Sequence, residues 1–160
     1  MKVTDLSITN EEHVDEQMLK IEVNLDDISG EWLGYIMDLL FDAGATDVYY
    51  TPIYMKKNRP GILLQLLCKK RNLQTMKQIL LKETTTLGIR YYPLTVFRSK
   101  REFQQVTTKW GEVTIKLGIY EGDVFQKAPE YEDCKQIAQT YKIPLKKVYE
   151  EVWKAIEREF

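Results

Sequence analysis

The sequence predicts an α+β fold built on a ferredoxin-like β-α-β-β-α-β core, and three observations lead there. Leu19, Ile21, Val23 and Leu25 alternate with Lys20, Glu22 and Asn24, the period of a half-buried strand. Leu33, Ile36, Met37 and Leu40, and later Leu73, Met76, Ile79 and Leu80, recur at helical spacing. β-branched and aromatic runs stand between and after those two segments, giving the split βαβ order.

The first strand ends at Asp26-Asp27, and Ser29 is the expected N-cap of the first helix, with Trp32 at N3. Gly44 stops that helix. Val48–Tyr54 forms the second strand and Ile62–Cys68 the third, which is apolar almost throughout. Asn72 is the expected cap of the second helix. The fourth strand spans Ile89–Val96, and Pro93 within it calls for an edge position or a bulge. Two helices on one sheet face leave the other face for solvent, a ligand or another subunit.

A second segment follows. Phe103–Lys109 and Glu112–Tyr120 alternate around Trp110-Gly111 and predict a hairpin. A helix is expected to open near Glu130 and last to about Tyr141, and Pro144 suits the first turn of a final helix carrying Leu145, Val148, Val152 and Ile156 on one face. The expected organisation is therefore a flexible lead-in over 1–17, a ferredoxin-like domain over 18–98, and a C-terminal hairpin with two helices over 99–160.

Composition narrows the function classes. In 160 residues, 23 Lys and Arg against 24 Asp and Glu leave a formal charge of −1, which argues against general nucleic-acid or membrane binding. No apolar run approaches the roughly 20 residues of a membrane span, and the N-terminus has no signal-peptide pattern. Cys68 and Cys134 form no zinc-site spacing, and the reading is a cytoplasmic protein with reduced thiols. His13 is the only histidine and lies in the lead-in, so a nucleophilic triad or a His/Cys metal site lacks material.

Four stretches carry candidate chemistry, each with a plainer alternative. Asp26 and Asp27 are candidates for a hard cation, which takes one or two carboxylates together with phosphate oxygens, although spacing alone favours the plainer reading, in which Asp27 begins a turn or adds charge near a helix start. Lys56, Lys57, Asn58 and Arg59 concentrate charge between two strands and either grip a polyphosphate or protect a sheet edge. Gly61 would let backbone approach such an anion closely. Glu83, Thr85, Thr86 and Arg90 supply a carboxylate, hydroxyls and a cation where a helix meets a strand, and caps and turns use the same residues. Glu130, Tyr131 and Asp133 stand at a helix start, where acids favour the macrodipole and a tyrosine either stacks on a base or packs into a core.

Together, N-L-D-D at 24–27, Y-M-K-K-N-R-P-G at 54–61, E-T-T-T-L-G-I-R at 83–90 and P-E-Y-E-D-C at 129–134 resemble the C-terminal domain of the LarC family. The likeness spans about residues 18–155. It implies a CTP-dependent nickel cyclometallase, of lyase or chelatase class. Such a protein inserts nickel, as substrate metal, into pyridinium-3,5-bisthiocarboxylic acid mononucleotide and forms the carbon–nickel and sulfur–nickel bonds of the pincer cofactor of lactate racemase. The resemblance further implies a CTP site with Mn²⁺ or Mg²⁺ on the triphosphate, and assembly into trimers or hexamers. Carried onto this chain, it implies Asp26 and Asp27 for the metal, and Lys56, Lys57, Asn58 and Arg59 for phosphates, with Arg90 and Lys127 beside them. Glu83, Thr85 and Thr86 shape the pocket, while Glu130, Tyr131 and Asp133 meet the base. The family's large N-terminal domain, with its histidine-rich segment, is absent from these residues, so complete nickel insertion is expected to need that domain. A noncatalytic oligomerisation or regulatory module is the alternative, with the free sheet face buried between subunits.

Overall fold

The computed structural model describes residues 11–159, and they divide into two compact units, 14–96 and 97–159 with 11–13. In the first unit, β1 (His13–Leu25), α1 (Gly30–Asp42), β2 (Ala45–Met55), β3 (Arg59–Lys69), α2 (Leu73–Glu83) and β4 (Arg90–Arg98) follow the expected order. The sheet runs β2-β3-β1-β4, the ferredoxin-like arrangement, and β3 is antiparallel to both neighbours.

Strand register explains why this core forms. Leu66 stands opposite Ile21 on one side and Val48 on the other, while Leu64 faces Val23 and Tyr50. Opposed residues share a face, so these rows pack together beneath the helices with Ile36, Leu40, Met76 and Leu80. β3 is apolar on both faces because it is a central strand. Its polar interruption, Gln65, is buried and donates to Thr51 Oγ1 at 2.9 Å. Pro93 lies in β4, an edge strand, as expected.

Several boundaries differ from expectation. Residues 13–17, read as lead-in, belong to β1, and the remainder of that lead-in up to residue 10 lies outside the described residues. Their polar side chains conceal a strand whose first five positions are mostly exposed. Ser29 caps α1 as expected, its Oγ accepting from Trp32 N–H at 3.3 Å. Asn72 does not cap α2; its amide donates to the Gly44 carbonyl at 3.1 Å and ties the start of α2 to the end of α1. Gly44 sits at φ 93°, and a Cβ there would come within 2.9 Å of the Asn72 amide nitrogen, so the residue meets two demands.

The second unit holds three strands rather than a hairpin. β5 (Lys100–Thr108), β6 (Gly111–Tyr120) and β7 (Asp123–Pro129) form an antiparallel sheet, followed by α3 (Tyr131–Tyr141) and α4 (Leu145–Glu159). The β6–β7 turn uses Glu121 and Gly122 at φ 51° and 90°, the positive-φ pair of a tight hairpin. Val113, Ile115 and Leu117 pack against Ile137, Val148, Val152 and Ile156 on the covered face. No helix among the described residues is long and apolar enough to cross a membrane.

Leu66 is fully buried between two strands and two helices, so Leu66→Ala should lower stability by about 2–5 kcal/mol. Urea unfolding monitored by tryptophan fluorescence measures this, and a loss below 1 kcal/mol on that scale would contradict the central role of β3.

Candidate functional site

The first unit assembles its candidate residues around the C-terminal end of β1. The β1–β3 ladder stops at Leu25–Ile62, whereas β3 continues to Arg59, paired with Met55 of β2. The β2–β3 hairpin therefore overhangs the end of β1. Arg59, from the overhang, reaches Asp26 with Nη1 3.3 Å from Oδ2. Tyr54 closes the second strand as expected; Met55 and Arg59-Pro60-Gly61, read as loop in the sequence, are also strand, and only Lys56, Lys57 and Asn58 form the connecting turn.

Local sequence explains the hairpin. Lys57 and Asn58 adopt φ 61° and 55°, matching the twist of a tight antiparallel turn. Asn accepts that region readily; Lys does so at some cost. Pro60 tolerates its missing amide hydrogen because β1 ends before reaching it. Gly61 has a packing reason: a Cβ there would sit 2.8 Å from the Leu25 carbonyl oxygen and 3.0 Å from Met55 Sδ. Lys56, Lys57 and Asn58 are exposed at the tip, and neither lysine has an ion-pair partner among the described residues.

The α2–β4 connection approaches the same strand end. Thr85 Oγ1 donates to Asp27 Oδ1. Thr86 closes the turn instead, its Oγ1 donating to the Gly88 carbonyl at 2.7 Å, and Glu83 ends α2. Arg90 opens β4 and donates from Nη2 to Asn24 Oδ1, while its Nε lies 3.6 Å from Glu22 Oε2.

Sequence reasoning missed Glu22, which organises the face of the sheet away from the helices. Its carboxylate accepts from Tyr92 Oη at 3.0 Å and lies 3.1 Å from Lys20 Nζ, and Lys20 stands over the Tyr49 ring. Burial works to raise the Glu22 pKa, but hydrogen bonds from Lys20 and Tyr92 and the charges of Lys20 and Arg90 hold it below the usual carboxylate value. Lys20 is raised chiefly by its bond to Glu22. The signal was available: Lys20, Glu22 and Asn24 alternate on one face of a strand whose other face is buried.

The second unit holds the remaining candidates, and it gives two of them structural partners. β7 stops at Pro129, opposite Ile115, so the β6 edge beyond that point lacks a strand. The start of α3 takes its place. Glu130 N–H donates to the Thr114 carbonyl at 2.8 Å, and Asp133 Oδ2 accepts from Thr114 N–H at 2.8 Å. The Glu130 carboxylate lies 3.3 Å from Lys116 Nζ. Tyr131 is exposed, with Lys135 Nζ 5.6 Å from its ring centre. Lys127 lies on β7 opposite Leu117. Cys134 is buried, and burial, aided by the Asp133 charge, pushes its thiol up to about 11, which makes it a poor thiolate ligand.

Two acidic–basic clusters thus stand at the end and on the open face of the first sheet, at positions 26, 27, 59 and 85 and at 20, 22, 24, 90 and 92. Among the described residues, no three His, Cys, Asp or Glu side chains gather as a metal site. The class is a two-unit α+β protein whose first sheet ends in paired carboxylates below a cationic hairpin. Residues 2–149 match the nickel insertion protein family, and the chain belongs to that family.

Relatives include pyridinium-3,5-bisthiocarboxylic acid mononucleotide nickel insertion proteins. The one from Acetivibrio thermocellus is 48% identical over 145 residues, covering 91% of this chain and 35% of its own length. The one from Lactiplantibacillus plantarum is 42% identical over 143 residues, covering 89% and 34%. The chain therefore spans about a third of these relatives. Among solved structures, the fold is similar to LarC2, described as the C-terminal domain of a cyclometallase involved in synthesis of the NPN cofactor of lactate racemase, in apo form. The TM-score is 0.85 at 41% identity, over 91% of this chain and 99% of that one. A Methanopyrus kandleri protein shares the fold at TM-score 0.64 and 24% identity, over 84% and 85% of the two chains.

Glu22 supplies the prediction here. Its folded-state pKa lies below the unfolded value, so its stabilisation is present above pH 4.5 and is lost as pH falls through the folded value. Glu22→Gln should flatten stability against pH below 4.5, read from urea midpoints. An unchanged acid slope would show that the Lys20–Glu22–Tyr92 cluster does not couple to folding.

Proposed function

We propose that this chain is the CTP- and divalent-metal-binding part of a nickel insertase that acts on pyridinium-3,5-bisthiocarboxylic acid mononucleotide. The observation that carries the reading is the likeness to LarC2 along nearly the whole of both chains. The arrangement at the end of β1 supports it. Arg59 is more than half exposed and held by a single carboxylate, so its fork can turn to a phosphate. Lys56 and Lys57 stand at the exposed tip as mobile point charges, with the Asn58 amide between them and Arg59. Thr85 brings a hydroxyl to Asp27, Thr86 and Glu83 shape the α2–β4 connection beside it, and Arg90 with Lys127 are further cations of the reading.

Asp26 and Asp27 fit a Mn²⁺ or Mg²⁺ ion that takes most of its ligands from phosphate and water. They are adjacent carboxylates held by exposed partners, and hard cations on nucleotides use one or two such groups. The ion would neutralise triphosphate charge. Glu130, Tyr131 and Asp133 are the candidates for the base, since carboxylates accept from the cytosine amino group. The ion pair of Glu130 with Lys116 and the hydrogen bond that Asp133 accepts from Thr114 would then orient rather than replace that contact. Nickel is the substrate metal. Its insertion belongs to the assembled protein, including the longer relatives' remaining two-thirds, acting as a trimer or hexamer in the cytoplasm.

Calorimetry with Mn²⁺ and each of the four nucleoside triphosphates tests the reading, with CTP expected to bind tightest. Lys56→Ala with Lys57→Ala should weaken CTP at least about tenfold, the loss of one charge-assisted contact or more. Equal affinity for all four nucleotides, or an unaltered double variant, would overturn it.

A further inference from the structure

We infer that the exposed face of the second sheet carries a binding cleft for a planar aromatic carboxylate. Arg101, Gly118 and Gln126 form one row across β5, β6 and β7, and Lys116 and Ala128 belong to the next row on the same face. With Ser99 and Phe125 they line a cavity of about 240 Å³. The opposite face, bearing Ile115 and Leu117, is covered by α3 and α4, so this cleft is separate from the core.

Two backbone features build its wall. The β6–β7 register shifts between Gly118 and Ile119: Gly118 pairs with Gln126, and Ile119 with Val124. Phe125 is thus the extra residue of a β-bulge, a device that re-aims a side chain. Its ring lies across Gly118, where an added Cβ would meet the ring Cζ at 2.9 Å and Cε1 at 3.1 Å. Glycine at 118 leaves the room in which the ring approaches the strand. Phe125 is nonetheless largely exposed, at 61%.

The polar lining selects an anion. Arg101 has no ion-pair partner among the described residues, so its planar fork is available for a bidentate carboxylate contact. Lys116 Nζ is engaged on one side by Glu130 at 3.3 Å and has other hydrogens to give. An aromatic side chain beside a guanidinium and an ammonium matches a ring bearing a carboxylate. The volume falls below the about 300 Å³ at which sites for larger ligands begin, which favours one ring over a nucleoside triphosphate.

The choice of a pyridine ring rests on the nickel-insertion reading, whose relatives act on a pyridinium bearing two thiocarboxylates; the ring-plus-carboxylate chemistry rests on the cleft itself. In that setting Arg101 and Lys116 would hold one carboxylate-type arm while Phe125 meets the ring.

Two-dimensional amide NMR of the full chain, titrated with pyridine-3,5-dicarboxylate, tests this. Saturable shifts centred on Arg101, Gly118 and Gln126 are expected. Arg101→Gln should weaken binding at least tenfold, and Gly118→Ala, which displaces the Phe125 ring, should weaken it with the Arg101 fork intact. Nicotinamide, a neutral analogue, and inorganic phosphate should each bind at least tenfold more weakly. The inference fails if no saturable shifts occur, if Arg101→Gln binds as the parent does, or if phosphate binds as well as the dicarboxylate. Normal Mn²⁺–CTP calorimetry on the same parent protein would show such a failure to be the cleft's alone. Loss of CTP preference with intact dicarboxylate binding would instead remove the nucleotide reading and leave the cleft.

Discussion

Register between β1 and β3 governs the first unit at two levels. Opposing Ile21 to Leu66 and Val23 to Leu64 puts these four apolar side chains beneath the helices, while Leu63 and Leu67 of β3 take the other face. A one-residue slip would turn those rows toward the open face and bring Lys20, Glu22 and Asn24 into the core. The same register ends β1 at Leu25 while β3 runs on to Arg59. The pairing that buries the core therefore also decides that a guanidinium meets Asp26 at the strand's end. Packing and site geometry are one constraint here, because no flexible segment intervenes between Leu25 and Asp26 or between Ile62 and Arg59.

Much of this was legible in the residues because the periodicities are clean. Alternation from Leu19 to Leu25 and helical spacing from Leu33 to Leu40 each admit one face, and Ser29 and Gly44 mark their helix limits by local chemistry. What stayed hidden depended on distant partners. Asn72 has the composition of a cap, but a carbonyl 28 positions away takes its amide. β7 was missed because D-V-F-Q-K-A-P alternates poorly; the signal that remained was Glu121-Gly122, a pair suited to positive φ. Asp133 read as a helix-start acid, and it does begin α3, yet its carboxylate also completes an unpaired strand edge at Thr114. Sequence position reveals the first of those roles, and only tertiary pairing reveals the second.

The candidate site was legible as motifs and not as a constellation. Asp26 with Arg59, and Asp27 with Thr85, are brought together across 33 and 58 positions. Glu22 escaped notice because a charged residue in an alternating strand ordinarily faces water. Here the open face is a connected polar layer in which Tyr92, Lys20 and Arg90 converge on one carboxylate. Such a layer favours solvent or a polar ligand over a dry subunit interface, since each buried member would need its partners retained.

Gly61 gives the hairpin a mechanical character. With no side chain to separate them, the β3 backbone at this residue lies nearly against the Leu25 carbonyl, and the distal turn is carried as a lever on that fulcrum. A methyl group would act as a wedge, prising the cationic tip from the carboxylates even with every charged residue in place. Charge alone therefore does not define the arrangement at the strand end: the spacing between its positive and negative halves is gauged by a hydrogen atom.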